Sequence, residues 1–218
     1  MARTRGARNA DYAEARLALA RRVRDRVIAD EGLTVSLRSL ASAADTSVAN
    51  LKHYFGDREG VFRGVMEVLH LDAAPHLAAA ATPEAPGDVE ASLRLFLKRF
   101  KMAWFQFGVG RMQAATLAAG LSTSTLGPSY LTHILEPLLQ AFESFVTVHI
   151  DRRELRPCHA RLAALEFISP VVFALLHQDT LSGAQCRPLD LDAFCEQHIQ
   201  TFLRSFGPEP ANLPARSR

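Results

Sequence analysis

Cysteine is scarce in this chain: three in 218 residues, at positions 158, 186 and 195, with no Cys-x-x-Cys spacing. An odd, scattered set excludes a disulfide framework and a structural zinc knuckle, and suits free thiols in a reducing compartment. Long apolar runs are missing too. The most apolar stretch, 167–176, is bracketed by Glu166 and His177 and falls short of the ~20 residues that span a bilayer. No apolar run follows the N-terminal arginines, so no secretory signal is read there. A cytoplasmic protein off the membrane is expected. The eight histidines form no His-Glu-x-x-His or His-x3-His pair, and neither a Gly-x-Ser-x-Gly nor a Gly-rich phosphate loop occurs. No catalytic set, no metal site and no cofactor are therefore expected. Strand alternation, heptads and internal repeats are absent as well, which leaves an all-α chain.

What is present is apolar content, 48%, enough to bury a core and to exclude global disorder. The net charge of +2 says little, but its distribution says more: residues 1–26 hold eight arginines against Asp11, Glu14 and Asp25. From residue 61 onward the 14 basic and 15 acidic residues nearly cancel. Positive charge gathered at one end is what a phosphate-facing surface requires, and a solvated arginine-rich helix face would look the same.

The same end carries the most informative stretch, residues 33–62. A short helix is predicted over 36–44, with Leu37, Leu40, Ala41 and Ala44 on one buried face. Asp45 and Thr46 form a tight turn, Asp tolerating the left-handed backbone. Ser47 caps a second helix, anchored to the core by Leu51 and Phe55. Val48, Ala49, Asn50, Lys52 and His53 then face outward. Two helices so joined are the helix-turn-helix device, whose second helix enters the DNA major groove.

Around this motif the predicted organisation is a flexible basic arm (1–10), the helix-turn-helix domain (11–56) led by a helix over 11–30, and a connecting helix (57–74). Glycine at 32 caps the first helix, and prolines at 75, 83 and 86 break the chain before the second domain (87–207). There, helices are expected over 88–107, 111–119, 130–150 (kinked at Pro137), 158–181 (bent at Pro170) and 188–206. Residues 122–129 read as a loop, and 208–218 as a disordered tail.

The motifs Leu40-Ala41, Ala44-Asp45-Thr46-Ser47, Asn50-Leu51-Lys52-His53-Tyr54-Phe55 and Arg58-Glu59-Gly60-Val61 resemble those of the tetracycline-repressor (TetR) family of transcriptional regulators. The resemblance covers residues 16–68. Asp45 stands where the family has glycine, Asn50 where it has threonine and Lys52 where it has tyrosine, so no operator sequence carries over. The resemblance implies an N-terminal three-helix DNA-binding domain followed by a helical ligand-binding and dimerisation domain. It implies that Val48, Ala49, Asn50 and Lys52 face bases, with Asn50 suited to adenine and Lys52 to guanine, and that Arg38 reaches the groove edge. Ser36, Ser47, His53, Tyr54 and Arg58 match phosphate-touching positions; Tyr54 could equally cap the small core. Arg3, Arg5 and Arg8 on the arm could enter the minor groove.

Further implications are a palindromic double-stranded operator, a homodimer through 158–181 and 189–206, and a repressor released by a small apolar or aromatic ligand. Candidate pocket residues are Phe100, Trp104, Met112, Tyr130, His133, Phe173 and His177, where large adaptable side chains meet a few polar groups. A fully packed core with no vacancy is the competing account of those aromatics. The rival classes are a ligand-independent architectural DNA binder and, for want of motifs less favoured, a helical enzyme.

Overall fold

A computed structural model describes residues 5–29, 35–83 and 87–208, with side chains from residue 11. Its elements are helices throughout: α1 (Arg5–Ala29), α2 (Leu37–Ala43), α3 (Val48–Phe55), α4 (Arg58–Ala81), α5 (Val89–Gln106), α6 (Val109–Ser122), α7 (Leu126–Tyr130), α8 (Glu136–Asp151), α9 (Ala160–Leu175), α10 (Gly183–Cys186) and α11 (Leu191–Phe206). A π-helical turn, Leu131–Leu135, joins α7 to α8, and another, Leu176–Thr180, extends α9. The chain divides into two compact units: residues 1–74 with 111–137, and 75–110 with 138–218. This partition returns 111–137 to the N-terminal unit, whereas the sequence reading kept it in the second domain.

The first unit is built on Leu19, Val23, Leu40, Leu51, Val61, Val65 and Val68, each at most 1% exposed, with Leu126, Tyr130 and Ile134 in the same cluster. Three ion pairs run from α1 to α4: Arg16 to Glu67 at 2.6 Å, and both Arg21 and Arg24 to Asp72 at 3.1 and 3.3 Å. In the second unit, α11 packs on α5 and α9. Together with α8 they form an aromatic core in which Phe142 of α8 and Phe167 stack at 4.5 Å, with Phe96 and Phe202 edge-on to both. Edge-to-face and offset packing of this kind adds to the burial of the rings.

Several boundaries differ from expectation, each for a local reason. Helix α1 starts at Arg5, inside the segment read as an arm; nothing between Arg5 and Ala29 breaks a helix made largely of Ala and Arg. Arg3 and the cap at 32 lie outside the described residues, as do residues 209–218 of the tail. Helix α4 runs straight past Pro75. That proline costs the Leu71 carbonyl its donor, but Leu71, Ala74 and Pro75 are exposed and water can take its place. The 122–129 loop is shortened because α7 begins at Leu126, with Pro128 in its first turn, where a missing N–H goes unnoticed. Pro137 follows a π-turn rather than a bare kink, the widened turn absorbing the ring. Finally, α9 with its π-turn makes a 21-residue stretch that is long and apolar enough to cross a bilayer by length and composition. The shorter 167–176 run understated it, yet Ala163, Ala164, Phe167, Ile168, Val171 and Leu175 are buried within the second unit.

Candidate nucleic-acid interface

The helix-turn-helix is held by caps at both of its starts. Ser36 Oγ accepts the Ser39 N–H at 3.1 Å, and Ser47 Oγ accepts the Asn50 N–H at 3.0 Å. Each satisfies a donor that the first turn of a helix leaves orphaned. Between them Asp45 takes φ 47°, the left-handed turn expected of it, and the Thr46 N–H closes the reversal on the Ala41 carbonyl at 2.9 Å. Leu51 and Phe55 are buried and fix α3 to the unit. Gly56, at φ 79°, ends α3, a conformation that L side chains rarely adopt. Asp57 then caps α4 by accepting the Gly60 N–H at 2.7 Å.

Gly60 and Gly64 press α4 against the end of α3. A Cβ on Gly60 would lie 1.8 Å from the Phe55 carbonyl oxygen, and one on Gly64 would lie 2.5 Å from the Phe55 ring. Arg16 covers the same ring, its guanidinium 5.4 Å from the centroid.

Of the residues read as facing outward, Ala49, Lys52 and His53 are exposed, as are Ser36, Arg38 and Ser47. Val48 is not free: it is half-buried and packs on the first unit's core. Asn50 is half-buried too, its amide Nδ2 donating to Thr46 Oγ1 at 2.9 Å. Tyr54 packs against the core, the second of its two expected roles, and tilts over Tyr12 at 4.9 Å. Tyr12 also donates its hydroxyl to the His53 carbonyl at 3.2 Å and lies edge-on to the His53 ring at 5.7 Å. Arg58 turns inward: Nε donates to the Val35 carbonyl at 2.8 Å while the guanidinium covers Phe62 at 4.9 Å. It thereby braces the entry to α2. Sequence reading missed Tyr12, whose only signal was being the one aromatic on α1.

The seven candidate pocket residues do not share one unit. Met112, Tyr130 and His133 belong to the first, and Phe100, Trp104, Phe173 and His177 to the second. Tyr130 is buried and accepts Gln113 Nε2 at 2.5 Å; burial pushes its hydroxyl up to about 12, against the lowering effect of that bond. The His133 ring lies 5.9 Å from that of His70, and burial first, then the neighbouring imidazole, hold it below the ordinary histidine range against the pull of Glu67. Trp104 is buried, its indole N–H donating to Asp179 at 2.9 Å, with Phe100 6.2 Å away. His177 meets Gln178 Nε2 at 2.7 Å. Phe173 departs from the expectation: it is 66% exposed on α9 and lines no interior space. Helix α9 is apolar on nearly every side, so its sequence could not show which side the fold covers. A cavity of about 440 Å³ in the second unit is lined by Lys98, Lys101, Met102, Phe105 and Leu191, among others, and by none of the seven. Among the described residues, no three His, Cys, Asp or Glu side chains gather as metal ligands would.

A short capped helix held at both ends, with a small and cationic outer face, is the geometry of a DNA-reading element. Solved structures share the overall helical fold. A Mesorhizobium loti protein assigned to the TetR family of transcriptional regulators superposes with TM-score 0.71 at 16% identity, covering 94% of this chain and all of that one. The chain has the TetR-family fold. The flavonoid-responsive regulator FrrA matches this fold with TM-score 0.64 at 18% identity, over 90% of this chain and all of FrrA. SmeT, repressor of the Stenotrophomonas maltophilia multidrug efflux pump SmeDEF, matches with TM-score 0.56 at 17% identity, over 93% of each chain. SmeT has also been solved as a triclosan complex. No protein-family model matches the sequence, and no curated protein does. The TetR-type fold is therefore carried by geometry rather than by sequence identity.

Proposed function

We propose that this protein is a sequence-specific, double-stranded DNA-binding transcriptional regulator of the TetR type, without catalytic activity, working in the cytoplasm. The observation that carries the reading is α3: capped by Ser47, anchored by Leu51 and Phe55, and presenting Ala49 and Lys52 to solvent. Two half-sites one DNA turn apart, about 34–36 Å, call for a twofold dimer and a palindromic operator. Helix α9 offers the face for it, with Leu162 55% and Phe173 66% exposed beside α11. Phe173 thus moves from the pocket to the subunit interface.

The protein acts as a repressor, and a small apolar or aromatic molecule releases it. FrrA and SmeT, with a flavonoid response and a triclosan complex respectively, support that ligand class. The ligand favours a state whose recognition helices are wrongly spaced, and the DNA-bound state is depleted by mass action.

The test is anisotropy of labelled duplexes from the region upstream of the protein's own coding sequence, with sedimentation to fix the stoichiometry. Salt-dependent binding of a dimer is expected. A monomer indifferent to duplex DNA at low salt would overturn the reading.

A further inference from the structure

The side chains of α3 narrow what kind of half-site it reads, an inference that rests on the DNA-binding reading above. Successive residues of an α-helix are about 100° apart around its axis. On α3 this puts Ala49 at the centre of the exposed arc, with Lys52 and His53 on either side. Asn50 and Tyr54 lie further round on one flank and Val48 on the other, and all three are half-buried. Asn50 is tied there. Its backbone N–H goes to Ser47 Oγ at 3.0 Å and its amide Nδ2 donates to Thr46 Oγ1 at 2.9 Å. A bidentate pair with adenine needs the amide oxygen and an N–H aimed together at N6 and N7. The N–H given to Thr46 holds this half-buried amide on the flank of the helix, away from the centre of the exposed arc.

His53 is exposed but holds its ring edge-on to both Tyr12 and Tyr54, on the side of the arc that the family resemblance gives to phosphate rather than to bases. The groove-facing chemistry that remains is an ammonium and a methyl group. An ammonium only donates, and guanine is the base whose major-groove edge offers two acceptors, O6 and N7; adenine sets a donor beside its acceptor. A methyl group makes no hydrogen bond and finds its complement in the thymine C5-methyl. Residues three apart on a helix stand about 5–6 Å apart at Cβ, while bases step about 3.4 Å. The two contacts therefore fall one or two steps apart.

We infer that each half-site is read through a guanine by Lys52 and a thymine methyl one or two steps away by Ala49, with Asn50 positioning the helix start instead of reading adenine.

The experiment selects binding sequences from a randomised duplex pool, then replaces single bases of the preferred site with analogues. Replacing the guanine by 7-deazaguanine, which lacks the N7 acceptor, weakens the wild-type protein about tenfold and leaves Lys52→Ala unaffected. Replacing the thymine by uracil weakens the wild type several-fold and leaves Ala49→Gly unaffected. Replacing adenines by 7-deazaadenine changes nothing, and Asn50→Ala selects the same sequence while melting at a lower temperature. A 7-deazaadenine penalty that disappears in Asn50→Ala would overturn the assignment. Duplex binding without preference would overturn the inference and leave the DNA-binding reading standing; no duplex binding at low salt would remove both.

Discussion

Adding one methyl group at Gly60 tests whether α4 really clamps the end of α3. Its Cβ would sit 1.8 Å from the Phe55 carbonyl oxygen and 2.9 Å from the carbonyl carbon, where real contacts essentially never fall below 3.0 Å. The oxygen is backbone, so it cannot swing aside as a side-chain tip would. Relief requires Phe55, or the start of α4, to move by more than an ångström. Phe55 is only 8% exposed and Gly64 already touches its ring, so neither path is open without loosening the core. Overpacking of this kind costs about 1–3 kcal/mol, which for a chain of this length lowers the melting temperature by about 2–12 °C. Gly127→Ala is the control. Its Cβ would meet only the Gly120 carbonyl, at 3.3 Å, and a helical alanine regains some propensity, so its effect should stay within about 1 kcal/mol. Thermal unfolding followed by circular dichroism reads both. A Gly60→Ala protein that melts within a degree of wild type would refute the close approach and the clamp inferred from it.

Other perturbations have equally definite outcomes. Ser47→Ala removes the α3 cap and should destabilise the protein by about 1 kcal/mol in urea melts, where Ser47→Asp or Ser47→Asn should not. Phe173→Glu should leave the fold intact and shift sedimentation toward the monomer, because its ring is exposed on the proposed subunit face. Acidification should destabilise the second unit. His149 is fully buried, and burial holds its imidazole below the ordinary range despite the opposing bond to Glu154. The unfolded chain then binds the proton more readily, so this contribution is intact above the ordinary histidine value of about 6.5 and is lost as pH falls below it. Glu154 adds to the loss at lower pH. Burial raises its carboxyl, but the Gly87 N–H, His149 and Arg152 outweigh that and hold it below the usual carboxylate range. Its contribution is present above the ordinary carboxylate range and is lost as pH falls through the lowered value. Melting temperature measured from pH 7.5 to 4 in wild type and His149→Gln checks this; identical slopes would reject it.

The motif was legible because its signals are local. Ser36 and Ser47 announce caps, Asp45 announces a turn, and Leu51 with Phe55 announces a buried stripe, all within twenty residues. The Asn50–Thr46 bond is just as local, yet composition could not reveal it, since an amide four residues from a hydroxyl can face either inward or outward. Position alone marks Arg58 as a phosphate candidate, while its Nε donates to a carbonyl 23 residues away, a pairing that no local signal announces. The pocket candidates are hard to place from sequence for a similar reason. Periodicity identifies apolar faces on α5, α8 and α9 but does not say which faces meet, and Phe173 shows the cost of that gap. Prolines misled in one direction only: at 75 and 128 a helix persisted where the sequence suggested an interruption, because exposure or a first-turn position spared it the missing donor.

The arrangement of α1 against α4 changes what its arginines are worth to a distant polyanion. Seen from beyond about 10 Å, roughly the screening distance at 0.1 M salt, a guanidinium beside a carboxylate is a dipole and not a charge. Glu67, Asp72 and Asp25 together offset Arg16, Arg21 and Arg24 in this way, so helix α1 serves partly as an internal strut. On the proposed DNA-binding reading these three arginines add little to capture from afar, and contact at touching distance carries more of the recognition.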